Sequence, residues 1–378
     1  MRKPSVSSKA IVLVLIFFIF LILPLQAQKV KIKKENGVTV VLNPQKPVKL
    51  PGMPTTLKLT EDLCIGKETK DENSMFSRLG SIQVDDDGNI YVLDTKEILV
   101  KVYDKNGKHL RTFGKKGQGP GEFQSASRMY MAEREKLTFL DTENKRFSYY
   151  SLNGECLKET SCGKWNLRES AKADSKGSIY GETLSISLEG AKKKLLKFDP
   201  QFNQVSEIAD LEVKMKPPYV NPMPAKFFFM VTKEDNLIWA ITLKYELNVI
   251  NSKGERIKKI VKDYNSVKIT DAEKEKFRKE KFDDPLVQDI KLEWPENYPP
   301  LNYFALDDRG WIYVSTHEKD VKGNIYFDVF DVEGRSIARF SHPEAEILFV
   351  VKKNKAYFLV EESKEGIPLV KRYSMDWK

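Results

Sequence analysis

The chain has 378 residues, 41% of them apolar and 31% charged, with 20 Gly and 18 Pro. It is too apolar for a disordered chain and too long for a disulfide-stapled miniprotein, and it can bury one large core or two ordinary ones. The three Cys exclude a complete disulfide framework, and the formal charge of +9 comes from lysines spread among many Glu and Asp, which reads as a soluble surface rather than a nucleic-acid footprint.

Arg2, Lys3 and Lys9 precede an unbroken apolar run, Ala10 to Leu23, followed by Pro24-Leu25-Gln26-Ala27. A basic start, a short apolar core and a small exit residue describe a secretory signal peptide over residues 1–27, cleaved after Ala27. A retained N-terminal anchor is the alternative, although the run falls short of the ~20 residues that a relaxed bilayer span needs. Removal of the segment takes the formal charge from +9 to +6. No second long apolar run follows, so no membrane span is expected beyond this segment. The expectation is an exported protein, periplasmic or extracellular. Export permits disulfides. Yet Cys156 and Cys162 on one extended strand would stand about 20 Å apart, whereas a bridge needs Cα atoms within about 7 Å. The cysteines are expected as small buried hydrophobes.

Residues 28–53 read as a hairpin with Glu35-Asn36-Gly37 at its turn, then a stiff linker marked by Pro44, Pro47, Pro51 and, at its end, Pro54. From residue 54 the chain repeats. Ser81 to Asp94 and Leu99 to Lys108 are apolar runs separated by Asp/Asn/Gly turns, the first around Asp85-Asp86-Asp87-Gly88-Asn89, which is a hairpin signature. Phe304 to Val314, followed by Phe327 to Arg335, has the same order and spacing. Weaker copies begin at Met129, Ala171, Phe228 and Ile347; the copy at Met129 has Glu135 where the first has Gly88. The outer-turn positions Gly107, Gly154 and Phe202 are 47 and 48 residues apart, an interval that suits four short strands and their turns. The sixth copy stops after its third strand, at Tyr373. Thr56 to Gly66 matches the outer strand Leu110 to Gly114 and supplies the strand it lacks. The expected fold is all-β: a six-bladed β-propeller over residues 54–378, closed by N- and C-terminal strands in one blade. An insertion at about 264–298, between blades four and five, carries a short helix over Asp271 to Phe282, announced by the capping-box spacing of Thr270 and Glu273.

This pattern resembles the NHL-repeat family, and more closely the exported bacterial proteins known as six-bladed β-propellers. The residues that carry the resemblance are Val84 to Asp94 and Phe113-Gly114-Lys115-Lys116-Gly117-Gln118-Gly119-Pro120-Gly121-Glu122-Phe123. It implies fold, export and a ligand site at one mouth of the central channel, and no single activity.

Candidate site residues are those at or just after the ends of the second strands, Asp94, Asp141, Thr183, Thr242, Thr316 and Glu361, with Arg78, Arg128 and Arg168 on the loops entering the first strands. Acidic and basic groups on one rim suit a polar ligand. His109 and His342 lie on outer strands and only His317 lies near the expected mouth, which argues against a three-His zinc centre. The Asp85 turn lacks the later acidic ligand of a Ca²⁺ loop. The sequence is therefore read as a monomeric, non-catalytic binding propeller without a cofactor, recognising a protein, peptide or glycan partner and no nucleic acid. The alternative is an envelope hydrolase or lyase with a divalent metal held by Asp94, Asp141 and Glu361.

Overall fold

The computed structural model describes residues 29–67, 71–132, 136–187, 190–214, 219–282, 290–363 and 365–378. The signal segment and Glu135 lie outside the described residues.

Six antiparallel sheets form the blades of a propeller. Their innermost strands are Leu79–Val84, Ala126–Ala132, Leu167–Ala173, Phe227–Val231, Tyr303–Leu306 and Glu346–Lys352. In the sixth blade the outermost strand is Leu57–Ile65, paired antiparallel with the C-terminal strand Leu369–Trp377. The two ends of the chain thus complete one sheet, and no blade edge is left open where the ring joins.

Alternation along each strand sends apolar side chains to both faces of every sheet, so the core is divided into layers between blades. Six such layers exist, one at each blade interface. Ile82, Val92, Tyr357 and Leu359 share the layer where blade six meets blade one, and Phe327, Val329, Phe358 and Met375 share the one between blades five and six.

One turn design recurs. Asp85 accepts from the backbone N–H of Asp87 at 3.0 Å and of Asn89 at 2.7 Å, and from the Tyr91 hydroxyl at 3.1 Å. Asp174 does the same with Lys176, Ser178 and Tyr180, and Asp307 with Arg309, Trp311 and Tyr313. Each carboxylate satisfies amides that the turn would otherwise orphan, and each holds a buried tyrosine.

The N-terminal segment is bound along the ring. Lys31–Glu35 and Val38–Asn43 form a hairpin, with Asn36 at φ +48° and Gly37 at φ +84°. Two left-handed residues are what a two-residue hairpin of this hand requires. The second of these strands runs parallel to Arg256–Lys262, the outer strand of blade four, which gives that blade six strands. The new edge, Lys31–Glu35, is exposed throughout; its lysines discourage further pairing. The chain then crosses blade five, where Asn43 accepts from Ser336 N–H at 2.7 Å and Val48 N–H donates to Ser336 O at 2.9 Å. Leu50 and Met53 pack on the layer between blades five and six. The proline-rich stretch is therefore a strap across the ring's outside, because its few apolar side chains find core to cover.

The helix Asp271–Lys281 lies between blades four and five. Thr270 and Glu273 form its capping box, and none of its residues is buried. The cysteine expectation needs correction. All three are free, Cys162 is buried, Cys64 is half-buried, and Cys156 is exposed because it lies on the outermost strand of blade two.

Candidate functional site

An inner strand runs from one face of the ring to the other and the second strand returns. Turns between second and third strands therefore share a face with the crossings from blade to blade. The sequence places all the candidate residues on that face, and the structure gives them different roles.

Asp94 and Asp141 are fully buried. Asp94 accepts from the N–H groups of Ser77 at 2.6 Å, Arg78 at 3.2 Å, Lys96 at 3.0 Å and Glu97 at 3.2 Å. Asp141 accepts from Gln124 N–H at 2.7 Å, Ser125 N–H at 3.1 Å, Asn144 N–H at 3.1 Å and Asn144 Nδ2 at 2.8 Å. Both fasten the incoming crossing to the turn of the same blade. Thr242 makes a lighter version in blade four, accepting from Lys226 N–H at 3.1 Å. Thr316 donates to Tyr326 O at 3.0 Å, and Thr183 to Lys194 O at 3.5 Å. Glu361 and Arg78 are exposed, and Arg78 donates to Thr95 Oγ1 at 2.9 Å. Arg128 turns toward the axis, where its guanidinium donates to Gly80 O at 2.6 Å.

The carboxylates do not converge. Among the described residues no group of three or more His, Cys, Asp or Glu side chains is placed to hold a metal ion. Both oxygens of Asp94 and of Asp141 are occupied by amides, so these two carboxylates are spent on the fold and not presented to a divalent metal. The histidines are also separate. His317 stacks on Tyr298 at 4.5 Å, and burial pushes its imidazole down to about 4. His342 lies 2.8 Å from Glu346, and His109 lies 2.9 Å from Thr112.

What the face does offer is a cleft of about 490 Å³ between blades two and three. Arg168 lines it, joined by Lys145, Lys164, Glu143, Trp165 and Cys162. Its walls are the turn after Asp141 and the crossing into blade three, tied by Cys162 N–H donating to Lys145 O at 2.8 Å. Trp165 forms a fixed wall: its Nε1 donates to Phe202 O at 2.9 Å and its ring meets Phe198 at 5.0 Å. Burial raises the Cys162 thiol to about 11, which leaves it a packing group and not a nucleophile. Three cations against one carboxylate give the cleft a positive bias. Lys145, Lys164 and Trp165 escaped the sequence reading because single turn residues carry no periodic signal. The Gly-rich stretch 115–122 is a closed turn: Glu122 accepts from Lys115 Nζ at 2.5 Å and Gly119 N–H at 2.9 Å.

The rest of this face carries the added segments. Tyr219–Val220, on the crossing into blade four, pairs parallel with Lys291–Leu292 of the insertion. Lys319 joins the helix to blade five through Glu273 at 3.5 Å and contacts Glu344 at 3.0 Å.

The six sheets and their closure define a six-bladed propeller, and the chain belongs to the family described as "6-bladed beta-propeller" (DUF5128), whose model matches residues 64–262. No curated protein matches the sequence. Among solved structures, a candidate exported protein from Bacteroides fragilis is 11% identical, with a TM-score of 0.55 over 89% of this chain and 99% of its own. A member of the duf4221 family from Bacteroides vulgatus is 11% identical, with a TM-score of 0.52 over 86% and 99%. Virginiamycin B lyase from Staphylococcus aureus is 9% identical, with a TM-score of 0.43 over 84% and 99%. At these identities the likeness is one of fold. No helix among the described residues is long and apolar enough to cross a membrane.

Proposed function

We propose that this protein is an exported recognition propeller, built from NHL-like repeats, that works as a monomer in the periplasm or outside the cell. It takes an acidic group of a protein, peptide or glycan partner into the cleft between blades two and three. The observation that supports this reading is the cleft itself: Lys145, Lys164 and Arg168 beside the fixed ring of Trp165, in a recess large enough for a side chain or a sugar. A rigid aromatic wall and mobile cations suit recognition. Of the carboxylates named for a hydrolase or lyase, Asp94 and Asp141 are committed to backbone amides.

The test uses polyglutamate and polygalacturonate as probes of the two partner chemistries. Binding should weaken steeply with salt and fall about tenfold or more in a Lys145→Glu, Lys164→Glu double variant, as loss of charge-assisted contacts does. Affinity for both probes that is unchanged in the double variant would sink the cleft assignment.

A further inference from the structure

Lys172 lies on the inner strand of blade three and is only 7% exposed. Its Nζ is 4.0 Å from the ring centroid of Tyr130 on the inner strand of blade two, and 4.3 Å from that of Phe229 on the inner strand of blade four. The ammonium is thus held between two aromatic faces contributed by the neighbouring blades, beside the channel axis. No carboxylate or carbonyl among the described residues pairs with it. Burial drives its ammonium down to about 7, and the charge of Arg128 pushes in the same direction; the two ring faces oppose this.

Arg128 is the second cation of the channel. It reaches from blade two, donates to Gly80 O at 2.6 Å, and lies 5.4 Å from the ring centroid of Phe349 on the inner strand of blade six. It too has no carboxylate partner among the described residues. Elsewhere such cations are compensated: buried Lys262 by Asp328 at 3.3 Å, half-buried Arg339 by Asp328 at 2.7 Å and half-buried Lys371 by Glu346 at 2.7 Å. A buried ammonium beside a half-buried guanidinium, with no counter-charge between them, is costly. An anion between them would relieve both desolvation and mutual repulsion.

The surroundings select the kind of anion. A phosphate spreads its four oxygens in all directions, and the aromatic walls would desolvate those turned away from the two cations. A carboxylate has two oxygens, which match one guanidinium and one ammonium. The rings of Tyr130, Phe229 and Phe349 would then face whatever carries it. We propose that the central channel binds a small organic carboxylate, its carboxylate between Arg128 and Lys172 and its apolar body against those rings. This goes beyond the recognition function above: it concerns the channel axis and needs no macromolecular partner.

The experiment is titration of the purified protein with benzoate and hexanoate by calorimetry, with benzyl alcohol and inorganic phosphate as comparison probes. One-to-one, saturable binding of a carboxylate is expected. Lys172→Met keeps most of the apolar stem without the ammonium and should weaken binding about tenfold or more, as loss of a charge-assisted contact does. Arg128→Lys keeps the charge without the fork and should bind more weakly than the parent. Near-ultraviolet circular dichroism establishes that each variant is folded. The proposal is overturned by absence of saturable binding of either carboxylate, by binding undiminished in folded Lys172→Met, by benzyl alcohol binding as tightly as benzoate, or by phosphate binding in preference to it.

Discussion

Lys262 and Lys172 are both buried lysines placed between blades, and their surroundings are opposite. Lys262 has Asp328 at 3.3 Å and donates to Gln45 O at 2.6 Å. Asp328 in turn accepts from Tyr245 at 2.6 Å and from Arg339 Nε at 2.7 Å, and Arg339 also pairs with Glu318 at 2.8 Å. That cluster links blades four and five to the N-terminal strap, and its charges are balanced within the fold. Lys172 has aromatic faces and a second cation. A partnered buried charge is part of the architecture; an unpartnered one is a cost that folding alone does not explain.

The sharpest way to break this contrast is to remove Asp328. Asp328→Ala would leave Lys262 without a counter-charge and Arg339 with Glu318 alone, and denaturant unfolding should show a loss of about 3–5 kcal/mol. A loss below about 1 kcal/mol would mean that water already compensates the cluster.

Glu346 tests the same principle through pH. Burial pushes its carboxyl up, but hydrogen bonds from His342, Lys371 and Tyr373 outweigh this and hold it at about 2, below an ordinary value of 4.5. A carboxylate with a lowered folded value contributes stability above about pH 4.5, and that contribution is lost as pH falls through about 2. Stability measured across that window should decline, and Glu346→Gln should flatten its share of the decline.

Asp94→Ala leaves four amides without their acceptor. A cost of about 2 kcal/mol is expected in thermal or chemical unfolding, with the ring still formed. A neutral result would show that the turn is held by backbone bonds alone.

Lys172→Met should have the smallest effect and the opposite tendency: neutral, or stabilising by about 1 kcal/mol, because it removes an uncompensated charge and keeps the stem. The sign with pH follows. The ammonium is lost at about 7 in the folded chain and at 10.5 when unfolded. Between those values the unfolded state binds the extra proton, so the stability of the parent should rise with pH, and that rise should vanish in Lys172→Met. A parent without the rise would show that the ring faces of Tyr130 and Phe229 restore an ordinary ammonium.

The propeller was legible in the residues because its signals are local and repeated. Short apolar runs such as Ile90–Asp94 and Ile312–Val314, with Asp and Gly at the turns, are properties of a few neighbouring residues that recur from copy to copy, and the outer strand missing after Tyr373 shows against them. The capping box at Thr270 is equally local. The site was legible only in part. Asp94 and Asp141 stand at the rim, as their positions after the second strands imply, but whether such a carboxylate faces solvent or its own turn depends on where the incoming crossing lies. Lys172 stands in the repeat where Gln83 stands in blade one, each opposite a buried tyrosine, Tyr180 and Tyr91. A lysine among inner-strand core residues was therefore visible as an anomaly in an alignment of the copies.

Sequence alone determined the class of fold, the number of blades, the strand that closes the ring and the hairpin at the N-terminus, since each follows from periodicity and turn chemistry within about fifty residues. Tertiary structure decided where the N-terminal hairpin attaches, which carboxylates are spent inside the fold, and which cations meet at the axis. Those outcomes depend on side chains from different blades, such as Asn43 with Ser336, or Lys172 with Tyr130 and Phe229. Such contacts exist only after the ring has closed and set the distances between them.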